Sequence, residues 1–553
     1  MKTSSPTPPR VLIVGAGPAG LALAIELGQR HIPCLLLERN DRVGYAPRAK
    51  TTNVRTREHL RRWGIAPKLR AASPLGVDYP SNVVFCTRLS GHELTRFENA
   101  FFCAPGRNPL YAEHAQWIPQ YSLEEVLRAH AQTLPGVEIR FNSEVLAFEQ
   151  DKAGVRLTVR DLKRNGTYMV SADYLVGADG ARSLVREVMG ARLEGQYGLS
   201  RNYNIVFHAP GLAQAHALGP AIMYWQINED VPSLIGPMDR GDTWFFMPTG
   251  VPQDFRLDAE GSAALIRRAT GIDLPYQALS TDEWVASRFL GDNYRDRRVF
   301  LVGDACHLHP PFGGYGMNMG VADAVDLGWK LAACLQGWGG EALLDSYMDE
   351  RRPVHQMVLD EAVANHALLG NQLWRAGLED DNPSGAALRE DVGARIQAAK
   401  SREFTTLGVV LGYRYEDSPV IVHDGSRAPQ MDYLNYVPSN RPGARAPHAW
   451  LHDGSSLYDH FGAGFTLLAH ADVPEAVLQA VRDRLRAAGV PLTVLRPAWG
   501  AFAELYPTRL TLVRPDQHVA WRGDDWPDAP DALVARITGH TLVASPRQKA
   551  LVA

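Results

Sequence analysis

Val11-Leu-Ile-Val14 runs without a break into Gly15-Ala-Gly-Pro-Ala-Gly20, and few folds accept that arrangement. Four apolar residues in a row read as a short strand buried on both faces, the kind found in a parallel sheet. Gly15, Gly17 and Gly20 have the G-x-G-x-x-G spacing, with Ala16, Pro18 and Ala19 between them. Leu21 to Arg30 continues as a helix and Leu35 to Glu38 as a second strand, completing a βαβ unit. The first glycine permits the tight turn, Gly17 lets a pyrophosphate approach the backbone, and Gly20 lets the helix lie on the strand. The free N–H groups and partial positive charge of the helix N-terminus suit phosphates. Glu38, followed by Arg39, ends the second strand, where a carboxylate can accept from ribose hydroxyls. The unit therefore predicts a nucleotide site. A secretory segment is the rival for Val11 to Ile25, after Lys2 and Arg10, but the glycine turn and the second apolar run argue against it.

At 553 residues the chain predicts two to four domains. A net charge of -4 does not point to nucleic acid or an anionic membrane as partner. Cys34, Cys86, Cys103, Cys306 and Cys334 form no C-x-x-C and no metal-like spacing, so no metal is expected and the reducing cytoplasm is. No apolar run approaches the roughly eighteen residues of a membrane helix. Residues 1 to 9 read as a loose tail.

Further along, a helix is expected over 122–134, and strands over 137–141, 144–149, 155–159 and 174–178. Aromatic-rich strands at 202–208, 221–226, 234–237 and 243–248 predict an antiparallel sheet forming a second lobe. A strand at 298–302 and a helix over 321–331 follow, then mostly helix over 341–410. A Pro/Gly-rich boundary at 438–447 leads into a small α/β domain.

Two more motifs join the first. Gly177-Ala-Asp-Gly180 precedes Arg182, Ser183 and Arg186, and Gly303-Asp-Ala-Cys-His-Leu-His-Pro-Pro-Phe-Gly-Gly314 links the 298–302 strand to the next helix. With all three in order, the chain resembles the flavoprotein aromatic hydroxylases of the p-hydroxybenzoate hydroxylase fold. The tail, with Pro442-Gly-Ala-Arg-Ala-Pro-His-Ala-Trp450 and Leu512-Val-Arg-Pro-Asp516, resembles the thioredoxin-like third domain of the phenol and 3-(3-hydroxyphenyl)propionate hydroxylase branch. Glu350-Arg-Arg-Pro353 matches a further family segment. The resemblance implies an α/β chain: a Rossmann-like FAD domain (1–75, 111–195, 291–370), an inserted antiparallel substrate domain (76–110, 196–290), a helical connector (371–437) and a thioredoxin-like domain (438–553). That last domain has no cysteine, so dithiol chemistry is excluded there.

FAD is the implied cofactor and NADH or NADPH the implied reductant. The implied cofactor contacts are Gly15, Ala16, Gly17, Pro18, Ala19, Gly20, Glu38, Arg39, Arg48, Gln120, Val145, Asp179, Gly303, Asp304, Pro311, Gly316, Met317 and Asn318. Asp304 would accept from the ribityl chain or ribose. Glycines 313, 314, 316 and 320 would bring backbone N–H groups to the flavin ring, and the helix expected near 320 would face its pyrimidine edge. The implied reaction is hydroxylation of a phenolic ring with O2 through a flavin C4a-hydroperoxide.

The substrate would lie between flavin and sheet, with His309, Pro310, Tyr203 and Tyr224 as candidate catalytic contacts and His208, Trp225, Phe246 and Met247 as candidate substrate contacts. Tyr224 and Trp225 are adjacent on a strand and point to opposite faces, so only one lines the pocket. His307 reads as holding the loop. No arginine pair for a substrate carboxylate stands out, which favours a neutral phenol, catechol or polycyclic phenol over a benzoate. A homodimer is the usual expectation for such families. A halogenase is set aside because Gln116-Trp-Ile-Pro119 lacks G-W-x-W-x-I-P. An oxidase, a Baeyer-Villiger-type oxygenase and a ligand-sequestering flavoprotein without turnover remain alternatives.

Overall fold

The computed structural model describes residues 8–41, 49–249, 257–367, 370–497 and 502–540. Val11–Val14 is the centre of a six-stranded sheet. The order is Arg295–Asp296, Val299–Leu301, Tyr174–Gly177, Val11–Val14, Cys34–Leu37 and Val137–Arg140. All neighbours are parallel except the first pair. The inner strands are apolar because both faces are covered, and Val11, Leu12, Ile13, Leu36 and Leu301 are fully buried.

Helix Pro18–Gln29 packs on the long helix Gly316–Leu335. The contact is backbone-close: a Cβ on Gly320 would sit 3.2 Å from the Gly303 Cα and 3.3 Å from the Ala19 Cβ. The second helix thus begins four residues before the expected position, and Gly320 lies inside it. Gly320 serves helix packing here.

The second layer is an eight-stranded sheet. Its order is His307–Leu308, Gln277–Gly291, Leu193–His208, Thr243–Pro248, Ser233–Pro237, Met223–Gln226, Val83–Cys86 and Glu93–Phe97. Only Met223–Gln226 and Val83–Cys86 pair parallel. The two long strands reach well beyond the expected 202–208 stretch because they carry the chain between the lobes. Each face of this sheet covers its own core. Phe85, Trp225 and Phe245 belong to one. Tyr224, Phe246, Ile205 and Phe207 belong to the other, beneath helix Ala259–Thr270.

Residues 143–172 form a three-stranded antiparallel sheet whose third strand, Gly166–Ala172, the sequence reading does not anticipate. After helices Pro383–Phe404 and Leu407–Gly412, residues 413–437 hold no regular element. Pro419, Gly425 and Pro429 break up that half of the expected helical connector.

In the C-terminal domain, Phe465–Ala469 pairs parallel with Leu492–Leu495 and antiparallel with Leu510–Val513, which pairs antiparallel with Val519–Gly523. With helices Glu475–Ala487 and Pro530–Ile537 this is the thioredoxin-like arrangement. Its Arg514 reaches into the first domain. Nη1 and Nη2 donate to Glu350 at 2.6 and 2.8 Å, and Nη2 also donates to Asp326 at 3.0 Å and Asp516 at 2.6 Å. Lys330 Nζ completes the cluster, donating to Asp326 at 2.8 Å and Glu350 at 2.6 Å. All five side chains are buried. No helix among the described residues is long and apolar enough to cross a membrane.

Arg514→Ala should leave Asp326 and Glu350 short of a cation and cost about 3–5 kcal/mol of stability, visible as a lower calorimetric transition. Acid sensitivity follows from three buried histidines. Burial holds the imidazolium forms of His355, His448 and His518 down to about 3, about 4 and about 4, from 6.5 in the unfolded chain. The unfolded state then binds more protons between about pH 4 and 6.5, so stability should decline as pH falls through that window. A melting temperature that stays flat from pH 6.5 to 4 would refute this.

Candidate cofactor and substrate site

The glycine turn at 15–20 is closed on two sides and open on the third. A Cβ on Gly15 would lie 2.4 Å from the Ala178 carbonyl oxygen, and one on Gly20 would lie 2.0 Å from the Gly15 oxygen. A Cβ on Gly17 would meet nothing within 4 Å. Gly17 is the N-cap of helix Pro18–Gln29, with no side-chain cap and no acid in the first turn. Ala16 N–H donates to Glu38 Oε2 at 2.8 Å, and Glu38 Oε1 accepts from Asn40. Arg39 is exposed beside it. The expected arginine, Arg48, lies outside the described residues.

Residues 49–53 form the next wall. Thr51 pairs with Trp117. Gln120 N–H donates to the Ala49 carbonyl at 2.9 Å, and Ala49 N–H donates to Gln120 Oε1 at 3.3 Å. Asn318 Nδ2 donates to the Thr51 and Gly314 carbonyls at 2.9 and 2.6 Å, while its Oδ1 accepts from Asn53 N–H at 2.9 Å. Gln120 and Asn318 thus clamp the 49–53 segment against the glycine loop. Gly313 and Gly314 make that loop turn with φ of +88° and +67°. Helix Gly316–Leu335 starts behind it, again with no side-chain cap and no acid in its first turn. Met317 is half-buried against the first core, where Val145 also packs, and Asp304 is exposed in the turn after Val299–Leu301.

Asp323 anchors the loop. Its Oδ2 accepts from Gly303 N–H at 3.1 Å and from His307 Nε2 at 2.8 Å, and its Oδ1 accepts from Arg351 Nε and His355 Nε2, each at 2.8 Å. Burial alone would raise its pKa, but His355, Arg351 and His307 hold it well below the carboxylate range. His307 Nδ1 faces His309 Nδ1 at 3.2 Å. Burial, aided by His307 and His355, keeps His309 well below the usual imidazole value. Its Nε2 is buried without a hydrogen-bond partner. His309 is thereby tied through its Nδ1 to the same lock as His307. Cys306, His307 and Asp323 bring their ligand atoms within 4.8 Å of one another. Arg351 already neutralises Asp323, and burial keeps the Cys306 thiol protonated, so this cluster too reads as a lock.

Asp179 is taken up locally: Ser183 Oγ donates to Oδ1 at 2.5 Å and Val185 N–H to Oδ2 at 3.1 Å, and burial raises its pKa. On the sheet, alternation separates the aromatic candidates. Trp225 and Met247 face the loop side, Trp225 stacking on Phe85 at 5.4 Å and lying 6.1 Å from Phe312. Tyr224 and Phe246 lie in the opposite core, with the Tyr224 hydroxyl donating to the Gly219 carbonyl at 2.5 Å. His208 pairs with Gln277, whereas Leu308 pairs with Phe289, twelve residues along the same strand. That is roughly 40 Å at about 3.3 Å per residue, which takes His208 away from the loop. Tyr203 pairs with Glu283 between them, its hydroxyl accepting from Arg201 at 2.7 Å. Pro310 is buried and Pro311 exposed. Sequence reasoning missed Phe245, Phe85, Phe312 and Lys50, although the 2-residue period that separates Phe245 from Phe246 was available.

The open Gly17 backbone, two helix N-termini without caps or acids, and carboxylates at Glu38 and Asp304 fit a dinucleotide with two phosphates. Family comparison settles which. Residues 9–362 match the FAD binding domain family, and residues 439–541 match the aromatic-ring hydroxylase C-terminal family. The chain belongs to the FAD-dependent aromatic-ring hydroxylases. It is similar to tetracenomycin B2 monooxygenase-dioxygenase of Streptomyces olivaceus, at 33% identity over 96% of this chain and 99% of the relative. It is also similar to 2,4-dichlorophenol 6-monooxygenase of Delftia acidovorans, at 31% identity over 93% and 95%. Among solved structures, the rebeccamycin biosynthetic enzyme RebC with reduced flavin matches with a TM-score of 0.89 and 34% identity, over 97% of this chain and 100% of that one. The hydroxylase is thus a flavoprotein monooxygenase acting on aromatic substrates, with FAD as its cofactor.

Gly17→Val should fold, since the site is open and its φ of -71° is ordinary for any residue. It should lose FAD affinity by about ten-fold or more, measured by fluorescence titration of apoprotein. FAD binding equal to wild type would remove Gly17 from the phosphate site.

Proposed function

We propose that this hydroxylase acts on a neutral phenolic ring, a substituted phenol, catechol or fused phenol, seated between the 309–316 loop and the loop-side face of the eight-stranded sheet. The observation that carries the reading is the apolar aromatic wall on that face, where Trp225, Phe85, Phe245 and Trp117 lie together and Phe312 of the loop packs on Trp225 with ring centroids 6.1 Å apart. A cleft lined by Leu75, Tyr79, Cys103, Trp117 and Ile222 opens beside it. Arginines near the sheet are already paired: Arg201 with Glu283, Arg240 with Asp78 and Arg288 with Asp360. This supports a substrate without a carboxylate. Of the two similar enzymes, one is named for tetracenomycin B2 and one for 2,4-dichlorophenol, a phenol without a carboxylate.

In this reading Gly15, Gly17 and the N-terminus of helix Pro18–Gln29 hold the FAD phosphates, and Glu38 a ribose. Asp304 and the N-terminus of helix Gly316–Leu335 serve the flavin end. When bound, FAD would supply the redox chemistry, with NADH or NADPH as reductant and O2 as co-substrate. The chain's own part is to bind the ring beside that aromatic wall, to hold the 303–316 loop in shape through Asp323, and to exclude water with apolar walls.

The test follows NADH and NADPH oxidation by purified holoenzyme against a panel of phenols, catechols and hydroxybenzoates, with peroxide assayed alongside. A phenol that speeds oxidation with little peroxide is the expected result. Stimulation confined to the carboxylate-bearing compounds, or peroxide as the sole product throughout, would overturn the phenol reading.

A further inference from the structure

Two lysine side chains are fully buried among the described residues and have acids beside them, and a third, Lys50, is half-buried. Lys330 donates to Asp326 and Glu350. Lys400 donates to Glu403 at 2.8 Å and to the Asn365 carbonyl at 3.1 Å, while lying 4.8 Å from the Trp225 ring centroid. Lys50 differs. Its Nζ stands over the Phe245 ring, 4.1 Å from the centroid, and has no hydrogen-bond or ion-pair partner among the described residues. Burial alone pulls its pKa from 10.5 to about 8.

The backbone at Lys50 is held tightly. Ile118 N–H donates to its carbonyl at 2.7 Å, Thr51 pairs with Trp117, and Asn318 bonds the Thr51 carbonyl. Lys50 is thus fixed between the flavin loop and the sheet. A half-buried ammonium over an aromatic face, with no acid beside it among the described residues, is open to an anion. The uncapped N-terminus of helix Gly316–Leu335 would be the group to meet negative charge on the flavin. Lys50 instead leans on Phe245, which belongs to the substrate face together with Trp225 and Ile222.

We propose that the Lys50 ammonium anchors the ionised oxygen of the phenolic substrate, so that the ring binds as phenolate. The phenolic proton leaves to solvent as the anion binds, and the lysine stays protonated throughout. A phenolate is the more electron-rich ring, so the pairing sets both orientation and reactivity. This inference rests on the phenol reading above and names the group that recognises the phenol.

The experiment uses 4-nitrocatechol and 4-nitrophenol, whose ionised forms absorb visibly, bound to holoenzyme and titrated with acid and base. With the wild type, the bound probe should ionise at least about one pH unit below the free probe, a ten-fold preference for the phenolate. Lys50→Met should abolish that shift and weaken phenolate binding about ten-fold or more, while FAD content and the flavin reduction potential stay unchanged. Lys50→Arg should retain most of the shift. A bound probe that ionises at or above the free value in the wild type overturns the proposal without any variant. An unchanged probe titration with an altered flavin potential in Lys50→Met also overturns it and transfers Lys50 to the flavin. If neither these probes nor any phenol of the panel binds the wild type, the phenol reading itself falls and takes the proposal with it.

Discussion

The whole site hangs on one buried carboxylate. Asp323 lies on the helix that leaves the glycine loop, yet it bonds back to Gly303 at the loop's start and to His307 in its middle. An anion without water must be fully satisfied. Arg351 and His355 supply the rest, from the helix Glu341–His366 packed alongside. One side chain therefore ties together the strand end, the loop and two helices. The loop's many glycines would otherwise make it pliable. Asp323 converts that freedom into a fixed shape, and the His307–His309 contact belongs to that conversion.

The eight-stranded sheet does two jobs by alternation. Its far face is an ordinary core under helix Ala259–Thr270, and its near face presents Trp225, Phe245 and Phe85 to the loop. A one-residue slip would exchange Phe245 for Phe246 and Trp225 for Tyr224. It would place a tyrosine hydroxyl where the structure has a flat apolar ring, and would remove the aromatic surface beneath Lys50. Register in this sheet thus decides which rings face the loop, and the burial of both faces enforces it.

The fold was largely legible because its signals are local. Val11–Val14, the glycine turn and Thr243–Pro248 lie where their own composition puts them. The site was legible less evenly. Gly17 and Asp304 announce themselves by motif. Tyr224, Phe246 and His208 did not sort themselves, because a strand's sequence does not say which of its faces meets a loop a hundred residues away. Gly320 resembled a cofactor contact in sequence and proved to be a packing position, since both uses require the absence of a side chain. Lys50 carried no motif at all. Its significance comes from a missing neighbour, and only a three-dimensional arrangement can show that.

The segments 350–353 and 512–516, distant in sequence, meet through Arg514 and Glu350, with Arg351 turned the other way to Asp323. The third domain's charge is thereby matched to acids lying one helix away from the flavin loop. Such a domain cannot be exchanged freely among relatives as a cassette. A grafted tail would have to bring a cation of the same length to the same depth, so the C-terminal domain and the catalytic lobe are bound to diverge together, as two halves of a single inherited unit.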